Sequence, residues 1–103
     1  MAAKNIIILP FAEVDIKESV SFYREENEEL ASVFLKCLDD TFRLTLRNPE
    51  AYTTVKFNVR KAVLGKFPFS IFYVLSDGTI FILAVFHEKR NPELWKKRRL
   101  KKR

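Results

Sequence analysis

His87 is the only histidine in the chain, and its side chain is the one whose ordinary pKa straddles neutrality. It closes the apolar run Ile80–Phe86 and is followed at once by Glu88-Lys89-Arg90-Asn91-Pro92. Arg60 and Lys61 stand upstream in a second candidate strand. One imidazole among several cations is the equipment of metal-free phosphodiester cleavage. His87 would act as general acid or base, and Arg90, Arg60 or Lys61 would neutralise phosphate. The plainer reading is a strand-end histidine satisfied by a backbone group. Arg60 and Lys61 are adjacent, so they point to opposite faces of their strand and only one reaches the open face. Trp95 offers a ring to stack on a base, or a plug that packs a C-terminal segment onto the sheet; the second is the more usual role. Lys66, Lys96 and Lys97 complete the candidate surface for a partner or nucleic acid.

Other chemistries lack their residues. The chain has no Gly-rich phosphate loop and no Ser-centred nucleophile elbow. One Cys and one His do not make a zinc site of conventional spacing. Cys37 falls in a helical apolar stripe, where cysteine is more often a small buried hydrophobe than a nucleophile. The acidic cluster Glu25-Glu26-Glu28-Glu29 reads as a solvated corner, since no oriented loop or histidine accompanies it. No metal and no cofactor is expected.

The elements that position these residues follow from periodicity. Asn5–Leu9, with three consecutive Ile, predicts a strand stopped by Pro10. Ala12, Ile16, Val20 and Tyr23 share one face of a helix running to about Glu26, with Glu13 and Asp15 favouring its positive end. Asn27 serves as break and N-cap. A second helix, about Glu28–Arg47, carries Leu30, Phe34, Leu38, Phe42 and Leu46, with Ala31, Leu35 and Cys37 widening its apolar face; Pro49 closes it. Glu50–Asn58 reads as a loop into a strand at Val59–Leu64, and Gly65-Lys66 turns the chain. Phe69–Leu75 and Ile80–Phe86 are rich in Ile, Val, Phe and Tyr. The Asp77-Gly78 pair between them is the strongest short-range hairpin signal. The second of these strands is apolar at nearly every position, so it lies inside the sheet. The fold class is α+β: a two-layer β-α-α-β-β-β domain, an antiparallel sheet covered on one face by a helical hairpin. His87 and Arg90 are expected on the sheet's exposed cationic side, not beneath the helices.

A chain of 103 residues makes one domain. It buries about two-thirds of its unfolded surface, enough for one core. The domain is expected to span residues 1–95, with a basic C-terminal tail at 96–103. Charge is polarised: residues 1–52 hold six Lys/Arg against ten Asp/Glu, and residues 53–103 hold thirteen against three. The basic half favours nucleic acid or an acidic protein; the tail alone is equally well read as a solubilising segment. A lone cysteine fits a reducing compartment. No signal peptide and no apolar run near the ~20 residues of a membrane helix is visible. The expectation is a cytoplasmic protein without a membrane partner.

A longer frame runs through these elements: Ala12-x-x-Asp15-Ile16, Phe22-Tyr23, Phe34-Leu35, Asn48-Pro49, Arg60, Gly65-Lys66-Phe67-Pro68-Phe69, Ile71-Phe72-Tyr73 and Ile82-Leu83-Ala84-Val85-Phe86-His87-x-x-Arg90. In this order and at these spacings it resembles the RelE/ParE toxin superfamily of type II toxin–antitoxin systems, over roughly Ile6–Trp95. The resemblance implies a small cytosolic toxin neutralised by a co-expressed antitoxin, which wraps the toxin and usually carries its own DNA-binding domain. RelE-like members cleave messenger RNA on the ribosome. ParE-like members poison DNA gyrase and are not known as nucleases. Carried over position by position, the RelE-like basic residues leave Lys61 and Arg90. Val63 and Ser70 replace two further cations, and Trp95 or Lys96 stands where a tyrosine is expected. Val85-Phe86-His87-x-x-Arg90 and the Phe67-Pro68-Phe69 turn lean toward ParE. A gyrase-directed toxin is therefore the favoured implication, a messenger-RNA endonuclease the second. A non-toxic binding module for nucleic acid or protein is an alternative of another class.

Overall fold

The computed structural model describes residues 2–98. Strand β1 (Asn5–Ile8) leads directly into helix α1 (Pro10–Glu26). The helix begins at Pro10, two residues before the expected start. Proline suits the first helical position, where its missing N–H has no intrahelical partner to lose. Helix α2 (Glu28–Arg47) starts on Asn27, whose side-chain oxygen accepts hydrogen bonds from the N–H groups of Glu29 (2.7 Å) and Leu30 (3.3 Å). Strands β2 (Thr53–Lys56), β3 (Val59–Val63), β4 (Phe69–Ser76) and β5 (Thr79–His87) follow, then a single helical turn, α3 (Glu93–Lys96).

The strands form one sheet in the order β1-β5-β4-β3-β2. Pairing is antiparallel from β2 to β5, and Asp77 and Gly78 both take positive φ in the tight turn of the β4–β5 hairpin. Two features depart from the sequence reading. First, the segment read as a loop before Val59 contains β2, an exposed edge strand with Val55 as an extra residue and Phe57 at φ 58° in the turn to β3. It buries none of its four residues, so it has no apolar alternation to read. Second, the sheet is not purely antiparallel: β1 runs parallel to β5, Ile6 opposite Ile80 and Ile8 opposite Ile82. The helical hairpin is the crossover that such parallel neighbours require.

Both faces of the sheet are covered at its centre. On one side α1 and α2 bury Ala12, Val20, Ala31, Phe34 and Leu38 against Ala62, Ile71, Tyr73, Ile80, Ile82 and Val85. Leu35, expected in this interface, is exposed, and Thr41 and Thr45 are buried instead. Their hydroxyls donate to the carbonyls of Cys37 and Phe42, so they enter the interface with their polar groups satisfied. On the other side Val59, Phe72, Val74, Leu83, Ala84 and Phe86 form a smaller cluster closed by Trp95 from α3.

One irregularity positions the site. In the hairpin Phe72 lies opposite Ala84 but Tyr73 lies opposite Ile82, so Leu83 is an extra residue in β5. A bulge of one residue reverses which face later side chains occupy. Ile80 and Ile82 face the helices, and after the bulge so does Val85. Ala84 and Phe86 face the other way.

Candidate functional site

β1 ends at Ile8, and the Leu9 N–H makes the last bond along that edge, to the Ile82 carbonyl (3.1 Å). Beyond Ile82, β5 has no strand on that side. Asp15, one turn into α1, fills the gap. Its Oδ2 accepts a hydrogen bond from the Val85 N–H (3.0 Å). Arg90 Nη1 donates to Oδ1 (3.0 Å). Arg98 Nη1 donates to Oδ2 (2.6 Å) and also to the Leu83 carbonyl (3.3 Å). Asp15 is 2 % exposed, so a buried carboxylate sits between two guanidinium groups and a backbone N–H. Both guanidinium groups lie against the ring of Phe86, at 4.0 Å for Arg90 and 4.9 Å for Arg98. Each positive group thereby gains the negative face of a ring as well as the carboxylate.

His87 follows at the end of β5. The bulge pairs it with Phe69, and its ring meets that of Phe69 edge-on at 5.2 Å. The Lys89 N–H donates to His87 Nδ1 (3.0 Å), which leaves the proton of the neutral ring on Nε2. A backbone partner satisfies this imidazole, as the plainer sequence reading holds. His87 and Arg90 border two shallow cavities. One, about 230 Å3, lies between α1 and the end of β5, with Asp15, Glu18, Ser19, Phe22 and Phe69 in its walls. The other, about 150 Å3, lies on the opposite face and includes Lys61, Ser70, Phe72, Phe86 and Trp95. The expected placement of His87 and Arg90 on an open cationic face holds only in part: both border the cavity on that face, and both also line the one against α1. Arg90 is drawn to α1 by Asp15, and His87 sits at the rim between the two layers.

The remaining candidates are dispersed. Arg60 lies on the helix-facing side of β3, where Nη1 donates to the carbonyls of Tyr52 (2.6 Å) and Glu50 (3.2 Å) and holds the segment after α2. Beside it the hydroxyl of Tyr73 donates to the Pro49 carbonyl (2.6 Å). Burial pushes the Tyr73 phenol up to about 12, against a smaller lowering by the Arg60 charge. Lys61 projects to the opposite face across from Phe72. Lys66 stands near Cys37 and Asp40 on the α2 side. Trp95 is 3 % exposed and stacks on Phe72 at 4.9 Å, so its ring is not presented to a base. Lys96 pairs with Glu93 (2.8 Å), and Lys97 is exposed. The tail expected over 96–103 is described only as far as Arg98, which is packed against Asp15; the rest lies outside the described residues.

Lys61, His87 and Arg90 thus share one cavity, while Arg60 and Lys66 do not. Cleaving a phosphodiester needs a proton-transfer group and cations free to meet developing charge. Of these three residues only Lys61 lacks an internal partner among the described residues, and the exposed carboxylate of Glu88 lines the same cavity. Sequence reasoning missed Asp15 and Arg98. Asp15 sits three residues after Ala12 and four before Ser19, on the inward face of α1, and that spacing was the signal available. Among the described residues no group of His, Cys, Asp and Glu is arranged to hold a metal ion, and no helix is long and apolar enough to cross a membrane.

Residues 6–92 match the family model described as the ParE toxin of the type II toxin–antitoxin system, parDE. The chain belongs to this family. Among solved structures, the ParE-family chain is similar to one described as the chromosomal ParDE TA system from P. aeruginosa, with a TM-score of 0.73 and 18 % identity. That match covers 82 % of this chain and 96 % of the other, and it shows a shared fold. No curated protein matches the sequence.

Proposed function

We propose that this ParE-family protein is the toxin of a toxin–antitoxin pair, acts in the cytoplasm by poisoning DNA gyrase, and is neutralised by a cognate antitoxin. The observation that carries the choice of target is the state of the arginines. Arg60 is bound to two backbone carbonyls, and Arg90 and Arg98 are bound to Asp15. A ribonuclease would need such groups free for the scissile phosphate. The structural neighbour comes from a ParDE system, which supports pairing with an antitoxin. Exposed Phe11, Val14 and Phe22 on α1 offer that partner an apolar surface.

Two assays run side by side test the reading. With purified gyrase and supercoiled plasmid, the protein is expected to make cleaved DNA accumulate, while messenger RNA on programmed ribosomes stays intact. Ribosome-dependent cleavage of the messenger that is lost in His87→Ala, with no effect on gyrase, overturns it in favour of the endonuclease.

A further inference from the structure

The sheet face opposite the helices, together with the β2–β3 turn, gathers lysines. Lys61 projects from β3 beside the Phe72–Trp95 stack. Lys56 ends β2, its ammonium 5.6 Å from the centre of the Phe57 ring. Lys96 and Lys97 follow Trp95. Glu93 stands beside these groups, its carboxylate accepting a hydrogen bond from the Lys96 ammonium at 2.8 Å. Its hydrogen bond to Lys96, with the charges of Lys96, Lys56 and Lys97, holds it below the usual carboxylate range. Lys56, Lys61 and Lys97 are exposed, and among the described residues none of them is in an ion pair.

The kind of cation on this face narrows the partner. Residues 53–98 hold nine Lys/Arg against three Asp/Glu. The three arginines among them, Arg60, Arg90 and Arg98, are all bound internally. A guanidinium fork reads guanine edges or grips a phosphate with two bonds. With those forks committed, compact ammonium groups remain, which neutralise phosphate without reading sequence. Sequence-tolerant binding of single strands relies on rings that stack on bases. Trp95 is buried under its own stack, and Phe57, 51 % exposed in the β2–β3 turn with the Lys56 ammonium 5.6 Å from its centre, is a single ring and not the series of platforms that successive unpaired bases need. Free lysines without a row of stacking rings match the backbone of a duplex better than an unpaired strand.

We propose that this lysine-bearing face binds the phosphate backbone of duplex DNA without sequence preference. The proposal goes beyond the gyrase reading and does not depend on it, since it requires only the protein and a duplex.

The test is anisotropy of two labelled duplexes of unrelated sequence, titrated with the full chain over a series of salt concentrations. Both duplexes are expected to bind alike, with affinity falling linearly on logarithmic axes as salt rises. Lys56→Glu combined with Lys61→Glu is expected to weaken binding about tenfold or more and to flatten the salt slope by about 2. Lys17→Glu with Lys36→Glu makes the same change of net charge on the helical layer and is expected to leave the slope unchanged. Circular dichroism confirms that each variant folds, and Lys56→Gln with Lys61→Gln gives a milder loss in the same direction. The proposal is overturned if the two charge-reversed pairs weaken binding equally, if the Lys56/Lys61 pair changes nothing, or if single-stranded RNA binds more tightly than either duplex. Loss of duplex binding from the wild-type protein with gyrase poisoning intact overturns this proposal alone.

Discussion

Asp15 carries more of the site than any residue that marks itself by chemistry. An isolated carboxylate taken out of water is costly, and two guanidinium groups and a backbone N–H offset that cost here. Removing the carboxylate leaves Arg98 buried without a counter-charge and the Val85 N–H unsatisfied. Asp15→Ala is therefore expected to destabilise the protein by about 3–5 kcal/mol, read as a lower urea midpoint. The two arginines are not equivalent. The Arg98 side chain is 13 % exposed and Arg90 35 %, so water screens the second pair. A double-mutant cycle should give a larger coupling energy for Asp15–Arg98 than for Asp15–Arg90, which is held to about 1 kcal/mol or less. Equal couplings would show that the Asp15–Arg98 bond is no stronger than an exposed pair.

Elements set where these residues meet. The segment after α2 is held by the hydroxyl of Tyr73 on the Pro49 carbonyl and by Arg60 on those of Glu50 and Tyr52, so β3 and β4 grip the loop that delivers β2. This predicts a pH dependence. With the Tyr73 phenol at about 12 against an ordinary 10, the unfolded chain loses its proton first. Between those values the folded state binds more protons, so stability falls as pH rises. The loss approaches roughly 2–3 kcal/mol at the top of the window and is absent below pH 10. Tyr73→Phe should flatten that slope in urea titrations at alkaline pH while costing about 1–2 kcal/mol near neutrality for the orphaned Pro49 carbonyl. The elements were largely legible: the Asp77-Gly78 hairpin, the Asn27 cap and the inward stripe of α1 each announce themselves in residue types that only one local geometry suits. The bulge at Leu83 was not, because Leu, Ala and Val at 83–85 suit a strand covered on both faces in either phase. The edge strand β2 was hidden for the opposite reason, having no buried face. Arg98 read as one more cation in a basic run, and only the third dimension brings it to Asp15.

At the scale of the whole molecule the C-terminal turn forms a partial third layer. Trp95 covers the sheet face away from the helices, yet the arginines on either side of it, Arg90 and Arg98, cross the free end of β5 to bind a carboxylate on α1. Docking of the turn is thereby coupled to the helical layer. Trp95 is the only tryptophan, so its fluorescence reports undocking directly. In the wild-type protein the loss of its blue-shifted emission and the loss of far-UV circular dichroism are expected to coincide across a urea titration, as in a two-state transition. Asp15→Ala removes the anchor but leaves the Phe72–Trp95 stack in place. In that variant the fluorescence transition should move to lower urea than the dichroism, because the turn opens as a local unit before the sheet unfolds. Coincident transitions in the variant would mean that ring packing alone holds the turn, and that the Asp15 pairs stabilise the layers without linking them.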